Sequence, residues 1–153
     1  MTFLALDPGA NTGWACSDPA LSGAIDHRLD AMIEWRGELP ERGMKAAWTK
    51  GLEPAERLKR VLGRYFMWLS ALLIELKPSV LIVEKQAPFK CRSNSGCLEF
   101  RGVTFAAAGV ADIALIECHP YKWREFLDGN PYDPATDHQI AAECMLAWYR
   151  SLQ

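Results

Sequence analysis

A short apolar strand that ends on a single carboxylate constrains this chain more than any other feature. Residues 3–6 are apolar, Asp7 follows them, and Pro8 and Gly9 come before a second apolar run that opens at Trp14. Proline and glycine do not continue a central strand, so the first strand ends at Asp7. The pattern predicts two antiparallel strands joined by a tight turn, with Asp7 at the sheet edge where α/β proteins place their ligands. Asp7 could instead cap its own turn by accepting a backbone N–H.

The composition is that of an ordinary soluble globular protein, with 50% hydrophobic and 24% charged residues in a chain of 153. This length suits one domain, and we expect residues 1–153 to form it. No targeting signal and no run of membrane-spanning length is evident, which favours a cytoplasmic protein without a membrane partner. The net charge of −2 means that binding to nucleic acid would need a local basic patch.

The cysteines do not indicate a disulfide framework. There are 5 of them, scattered along the chain without a C-x-x-C pair, which favours reduced thiols. A zinc site made of Cys91, Cys97, Cys118 and His119 is an alternative, but its spacing differs from that of the common structural sites.

The order of apolar patterns predicts an α/β layered domain with a mixed sheet. After the first hairpin, residues 17–28 are mixed and rich in turn formers, residues 31–39 predict a third strand, and residues 40–53 predict a connection. Apolar residues at spacings of three and four predict a helix from Pro54 to Leu76. The later predicted elements are a buried strand over residues 79–83, a helix over 98–109, a strand over 111–118, a short helix over 121–127 and a final helix from Thr136 or Asp137.

A second buried strand also ends in a carboxylate. Residues 79–83 form a continuous apolar run before Glu84, which is typical of a parallel strand covered on both faces. If the two strands are neighbours, Asp7 and Glu84 meet at one sheet edge, and the last helix could bring Asp137 and His138 against them. Clusters of this kind suit magnesium or manganese, and two such ions can activate water for phosphodiester hydrolysis. Asp137 could also act only as a helix cap.

The segment after Glu84 is basic and carries an aromatic residue. Lys85, Lys90 and Arg92 surround Phe89. A loop of this composition could pair with phosphates and stack on an exposed base. An ordinary surface loop with lysines explains the same composition, and the loop alone does not decide between the two.

Taken together, these motifs resemble the RuvC-type Holliday junction resolvases of the RNase H-like superfamily, particularly the shorter phage-borne forms. The motifs that carry the resemblance, in chain order, are Asp7-Pro-Gly, Thr12-Gly-Trp-Ala, the strand-end Glu84, the segment His119-Pro-Tyr-Lys-Trp-Arg with Gly129-Asn130, and the helix start Asp137-His138. The resemblance covers nearly the whole chain. It implies an RNase H-like α/β fold, with a five-stranded mixed sheet whose first three strands are antiparallel and which is flanked by helices.

The resemblance also implies an activity. Members of this family act as homodimers that introduce paired nicks in four-way DNA junctions, and they use divalent metal. By position, Asp7 and Glu84 would be metal ligands, and His138 would match the Asp or His that begins the family's last acidic motif. Asp137 is a further candidate ligand. Two Mg²⁺ or Mn²⁺ ions are expected in an active form.

The DNA contacts implied by the resemblance fall mainly in the basic loop. Phe89 would be the aromatic that enters the junction, although it lies further beyond the glutamate than is usual in the family. Lys85, Lys90 and Arg92 would contact phosphates, and Lys122 is a weaker candidate.

The sequence departs from the family's pattern in the last helix. The family's motif has His or Asp, two further residues, and then Asp before Ala, whereas here Ala141 stands three residues after His138. Glu143 is a poor substitute, because a helix turns by about 200° over two residues. Ala141 is either an Asp→Ala substitution or a natural variant with a degenerate site. The family also usually carries a lysine before this helix, and residues 131–136 contain none.

These observations lead to a main hypothesis and several alternatives. We expect a metal-dependent junction-resolving endonuclease that binds branched DNA but cleaves poorly as written, so that Ala141→Asp creates or restores cleavage. The alternatives are a catalytically degenerate DNA-binding module and another RNase H-like nuclease that acts on flaps or RNA. An actin-like ATPase would need two such domains, and this chain has room for one. The alanine-rich helix over residues 98–109 is the predicted dimer contact, since two symmetric nicks call for a twofold protein.

Overall fold

The protein is described here by a computed structural model that covers residues 1–36, 44–85, 96–133 and 136–153, with side chains over 1–35, 47–85, 98–133 and 136–153. These residues contain one five-stranded sheet in the order β3-β2-β1-β4-β5. The strands are β1 (Phe3–Asp7), β2 (Asn11–Ser17), β3 (Ala20–Asp26), β4 (Val80–Glu84) and β5 (Ala114–Cys118).

The sheet is mixed, as the sequence predicts. Strand β1 pairs antiparallel with β2, and β2 pairs antiparallel with β3. On its other side β1 pairs parallel with β4, and β4 pairs parallel with β5. Strands β1 and β4 are central and buried, which fits their unbroken apolar sequences.

Helices cover both faces of the sheet. One face carries the core formed with α1 (His27–Arg36), α2 (Met44–Gly51), α3 (Pro54–Leu76) and α4 (Gly96–Val110). The other face carries the core formed with α5 (Pro120–Arg124) and α6 (His138–Arg150), and a short 3₁₀ turn (Glu125–Leu127) follows α5. None of the helices in the described ranges is long and apolar enough to span a membrane.

The prediction of a third strand over residues 31–39 is wrong. Residues 31–36 lie in helix α1, and residues 37–39 are outside the described part of the chain. The apolar residues Ala31, Met32 and Trp35 have helical spacing and pack on the core. The third strand is β3, within the segment 17–28 that looks rich in turns. It is a largely exposed edge strand, so it lacks the buried alternation that identifies a strand in sequence.

Two further boundaries differ from the predictions. The predicted connection over residues 40–53 contains helix α2, whose Trp48 is buried edge-on against Trp35. A helix of eight residues is too short to show a clear helical period in the sequence. Strand β5 begins at Ala114 rather than at residue 111, because the chain leaves α4 through a turn in which Asp112 has a left-handed φ of 53°.

Candidate active site

Asp7 and Glu84 lie side by side at one end of the sheet. Leu6 pairs with Val83 on neighbouring parallel strands, and each carboxylate is the next residue of its strand. Neighbouring strands are about 4.8 Å apart, and paired positions point to the same face. That face is the one covered by α5 and α6, because Ala5, two residues before Asp7, belongs to their core. The two strand-end carboxylates therefore share one row beneath α5 and α6.

Gly13 and Cys118 extend this row across the sheet. Gly13 pairs with Asp7, and Cys118 pairs with Glu84. We call Gly13, Asp7, Glu84 and Cys118 the end row. It spans four strands, and its two middle positions carry the carboxylates.

Gly13 allows the start of helix α6 to rest directly on strand β2. A Cβ atom at Gly13 would lie 1.8 Å from the backbone oxygen of His138 and 2.6 Å from the backbone nitrogen of Gln139. Any side chain at this position would push the helix away, so glycine is required here by close backbone approach. The glycine of the Thr12-Gly13 motif thus sets where the helix begins relative to the end row.

His138 uses this position to contact Asp7. Its Nδ1 lies 2.7 Å from Asp7 Oδ2, and the two side chains are 20% and 17% exposed. Asp7 also faces the N-terminal end of α6, where the helix dipole stabilises a negative charge. The two residues that the sequence motifs single out at opposite ends of the chain are therefore in direct contact.

The turn after Asp7 is held by a buried polar contact. Thr12 Oγ1 donates to the backbone oxygen of Gly9 at 2.8 Å, and His27 Nε2 lies 3.2 Å from the same hydroxyl. Because the hydroxyl hydrogen is used on Gly9, His27 is the donor in this second contact. His27 is fully buried, and burial lowers its pKa to about 4. A neutral histidine therefore anchors the turn that follows the first strand.

Glu84 has a partner that sequence reasoning missed. Trp123 Nε1 donates to Glu84 Oε2 at 2.9 Å, across 39 residues of sequence. Trp123 is fully buried and lies in α5, which begins at Pro120 directly after strand β5. The sequence gives only a weak signal of this contact. That signal is a tryptophan in a short helix that directly follows a strand.

Tyr132 stands beside the same carboxylates. Its ring meets that of Trp123 edge-on, with centroids 5.2 Å apart. Burial raises the pKa of Tyr132, and the negative charges of Asp7, Glu84 and, to a smaller extent, Asp137 raise it further. Tyr132 is therefore a neutral phenol near the end row.

Asp137, a predicted ligand, has both of its oxygens engaged in the preceding loop. Oδ2 accepts the backbone N–H of Asp133 at 2.7 Å, and Oδ1 accepts the hydroxyl of Thr136 at 3.2 Å. Asp137 is the residue before α6, but its side chain makes no capping hydrogen bond to the helix. Its hydrogen bonds shape the loop, and its role as a metal ligand remains a prediction.

Ala141 is fully buried one turn after His138. It belongs to the same core as Ala5 and Trp123, so position 141 faces the sheet. Glu143 lies elsewhere and accepts hydrogen bonds from Ser22 of the edge strand β3 and from Gln139. Glu143 does not replace a carboxylate at position 141.

The acidic and histidine side chains do not form a closed metal cage. Across the described ranges, no group of three or more His, Cys, Asp or Glu side chains is arranged to hold an ion. Asp7 and Glu84 offer carboxylate oxygens in one row, which suits Mg²⁺ or Mn²⁺, while His138 Nδ1 faces Asp7. The donor set falls one carboxylate short of the expected motif, and the two-ion centre stays a prediction.

The zinc alternative receives little support from its described members. Burial, followed by the charge of Glu84, raises the pKa of the Cys118 thiol to about 12. Cys118 is also fully buried, and it belongs to no group of three or more possible metal ligands among the described side chains. Cys91 and the side chain of Cys97 lie outside the described residues.

The predicted DNA-contacting residues are only partly described. Lys85 is exposed immediately after Glu84, and its backbone N–H donates to the oxygen of Cys118 at 2.7 Å. The Nζ atom of Lys122 lies 5.5 Å from the ring centroid of Trp148, so its ammonium group is already in a cation–π contact. The other three predicted contacts, Phe89, Lys90 and Arg92, lie outside the described residues.

Comparison with known proteins gives matches among solved structures only. No protein-family model and no curated protein sequence matches the chain. A structure of Thermus thermophilus RuvC in complex with Holliday junction substrate is similar with a TM-score of 0.64 and 14% sequence identity, and the match covers 99% of this chain and 96% of that one. A second Thermus thermophilus RuvC structure is similar with a TM-score of 0.60, at the same identity and coverage.

The match agrees with the topology and with the resemblance drawn from the motifs. The alignment covers almost the whole of both chains. The mixed sheet with three antiparallel strands is also the sheet of the RNase H-like fold that the sequence predicts. This chain has the fold of the RuvC Holliday junction resolvases.

Proposed function

We propose that this chain binds four-way DNA junctions as a homodimer, and that its nuclease centre is incomplete because position 141 carries alanine. The observation that carries the proposal is the end row, where Asp7 and Glu84 are adjacent and His138 contacts Asp7. Two carboxylates at the ends of neighbouring parallel strands, with a helix start against them, suit metal-dependent phosphodiester cleavage. The fully buried Ala141 lies one turn further along the same helix, where the family's last carboxylate is expected.

Junction binding is supported by the similar RuvC structure, which contains a Holliday junction substrate. The net charge of this chain is −2, so attraction to DNA has to come from a local basic region rather than from the overall field. In the sequence, Lys85 directly follows Glu84, and Lys90 and Arg92 follow within eight residues of it. Lys85 is exposed, and a phosphate bound by it would lie close to the end row.

Each side chain of the site has a definite part in this proposal. Asp7 and Glu84 would hold the metal, and Mg²⁺ or Mn²⁺ would supply water activation and stabilise the leaving oxygen of the phosphodiester. His138 fixes the position of Asp7 through the contact at 2.7 Å. Tyr132 remains protonated near both carboxylates and can donate a hydrogen bond to a phosphate oxygen.

The homodimer is supported by an exposed apolar surface on α3 and α4. The two helices pack against each other on one face of the sheet. The most exposed large apolar side chains on α3 are Met67 and Ile74, at 63% and 73%, and Leu98 and Val110 at the two ends of α4 are 55% and 91% exposed. Met67 and Ile74 are seven residues apart and so share one face of α3, and apolar side chains that are grouped on a surface are typical of a protein contact. A second copy of this chain is the proposed partner, because paired nicks require twofold symmetry.

A second candidate function is that of a branched-DNA-binding module without nuclease activity. The missing carboxylate at position 141 favours it, since metal affinity falls as ligands are lost. Calorimetric titration of the Ala141→Asp variant with Mn²⁺ separates the two. A nuclease centre that lacks only this carboxylate then binds two ions, whereas a site that is degenerate in other respects binds one weakly or none.

The proposed binding function is tested by competition. A labelled four-way junction is bound at fixed salt, and unlabelled linear duplex of the same sequence, a flap substrate and an RNA duplex are added as competitors. We expect the junction to be bound at least about tenfold more tightly than the duplex, which corresponds to about 1.4 kcal/mol. Equal affinity for junction and duplex would contradict junction recognition, and stronger competition by flap or RNA would redirect the assignment to another RNase H-like nuclease.

A further inference from the structure

Glu84 stands at a point where the chain leaves the sheet. It is the last residue of strand β4, and Lys85, which follows it, lies outside the strand. A glutamate has three side-chain torsions, so its carboxylate at a strand end can adopt several positions unless another group holds it. The end row therefore needs a contact that selects one of them.

Trp123 makes such a contact. Its indole N–H donates to Glu84 Oε2 at 2.9 Å, a hydrogen bond between a neutral donor and a carboxylate, which is among the stronger kinds in proteins. Trp123 is donor only and fully buried. An indole in the core has an N–H that needs a partner, and Glu84 is the partner that the fold supplies.

The ring of Trp123 is itself held from two sides. Tyr132 meets it edge-on at 5.2 Å and an interplanar angle of 76°, and the guanidinium carbon of Arg124 lies 5.5 Å from its ring centroid. The helix α5 that carries it begins at Pro120, directly beyond strand β5. The direction of the N–H is therefore fixed by the surrounding packing.

We propose that Trp123 is a positioning residue that holds the carboxylate of Glu84 in the end row beside Asp7. The consequence for metal binding rests on the proposed function. Hydrogen bonds from outside the ligand set orient metal-binding carboxylates, and their loss typically weakens metal affinity by about tenfold to a hundredfold. The contact thus explains why a tryptophan, rather than any other large apolar residue, fills this place in the core.

The alternative is that Trp123 only fills volume in the core. The variant Trp123→Phe separates the two roles, because it keeps an aromatic ring and removes the N–H. Trp48→Phe is the matched control: Trp48 is also buried, but it belongs to the core on the opposite face of the sheet. Both variants are expected to lose some thermal stability through lost volume.

The first readout does not depend on function. Crystal structures of the unmodified chain, Trp123→Phe and Trp48→Phe are compared at the Glu84 side chain. We expect Glu84 to leave its position beside Asp7 in Trp123→Phe and to keep it in Trp48→Phe. An unchanged Glu84 in Trp123→Phe would overturn the proposal.

The second readout uses Mn²⁺ as the probe in the Ala141→Asp background. Trp123→Phe should raise the Mn²⁺ concentration at which half of the protein has bound Mn²⁺ by about tenfold or more. Its affinity for the junction should stay within about twofold of the parent chain. Trp48→Phe should leave both quantities unchanged. Equal Mn²⁺ dependence in all three chains would overturn the proposal. If the Ala141→Asp chain neither binds Mn²⁺ nor cleaves, the proposed function fails, and the crystallographic comparison still decides the role of Trp123.

Discussion

Asp7 Oδ2 lies 2.7 Å from Nδ1 of His138, although 131 residues separate them in sequence. The contact exists because Gly13, the neighbour of Asp7 on strand β2, has no side chain in the space where His138 places its backbone. The backbone of the motif near the N-terminus thus packs directly against the backbone at the beginning of the last helix. The geometry of the candidate site depends on this fit.

Gly13→Ala should therefore disrupt the site. A Cβ atom 1.8 Å from the His138 oxygen cannot be accommodated without moving helix α6. We expect a loss of at least about 2 kcal/mol in the free energy of unfolding, measured by urea denaturation. The matched control is Gly63→Ala, since Gly63 lies inside helix α3 with nothing within 4 Å of its added Cβ. That control should be neutral or stabilised by up to about 1 kcal/mol, and a Gly13→Ala protein as stable as the control would contradict the close-packing account.

Stability should fall in mild acid because of His27. Its folded-state pKa is lowered from 6.5 to about 4 by burial, so the unfolded chain binds a proton over a range where the folded protein does not. The contribution of neutral His27 to the free energy of unfolding is complete above about pH 6.5 and is lost as the pH falls towards 4. Nearby Asp26 and Asp30 favour the charged ring and limit the shift.

The measurement is the free energy of unfolding as a function of pH for the unmodified chain and for His27→Phe. Over this range the unmodified chain should lose on the order of 2 kcal/mol more than the variant does. His27→Phe is expected to be less stable at neutral pH, because the donor to Thr12 is removed. Parallel pH profiles would show that His27 is not the residue that titrates.

The two described lysines near the site should affect DNA binding differently. Lys85 is exposed beside Glu84, whereas the ammonium of Lys122 lies over the Trp148 ring. Lys85→Ala should weaken junction binding and reduce the slope of log affinity against log salt by about 1. Lys122→Ala should change this slope less. Titrations at several salt concentrations test both, and identical slopes for Lys85→Ala and the unmodified chain would exclude a phosphate contact by Lys85.

The proposed dimer surface predicts the effect of one added charge. Ile74 on α3 is 73% exposed, and Ile74→Glu would place a carboxylate in the apolar surface of α3 and α4. We expect a twofold-symmetric dimer in the unmodified chain and a monomer in the variant, measured by analytical ultracentrifugation at micromolar concentration. Glu75→Gln, at the neighbouring exposed position, is the control and should remain dimeric. A monomeric unmodified chain would contradict the homodimer.

The sequence predicts the central part of this fold well. Strands β1 and β4 are continuous apolar runs, each with a carboxylate at its end, as buried central strands are. The structure shows that the two strands are neighbours. Asp7, Glu84 and His138 could therefore be named in advance, and the structure brings Asp7 against His138 and into one row with Glu84.

The parts that sequence does not predict are those decided by tertiary contacts. Edge strand β3 has little buried surface, so the alternation that marks a strand is absent. The donor role of Trp123 depends on where a five-residue helix docks, and no local pattern contains that information. The same holds for Gly13, whose neighbour in space is 125 residues away along the chain, at His138.

The most direct test of the account is nicking of a labelled four-way junction by the unmodified chain, Ala141→Asp and Ala141→Asn, each with Mn²⁺. Position 141 is fully buried among the residues that cover the end row, so a carboxylate there needs a cation, and asparagine controls for size and polarity without charge. We predict paired nicks from Ala141→Asp only, together with an increase in its thermal stability when Mn²⁺ is added. Absence of both nicking and a Mn²⁺-dependent stability gain in Ala141→Asp would contradict the assignment of this site as a metal-dependent nuclease centre.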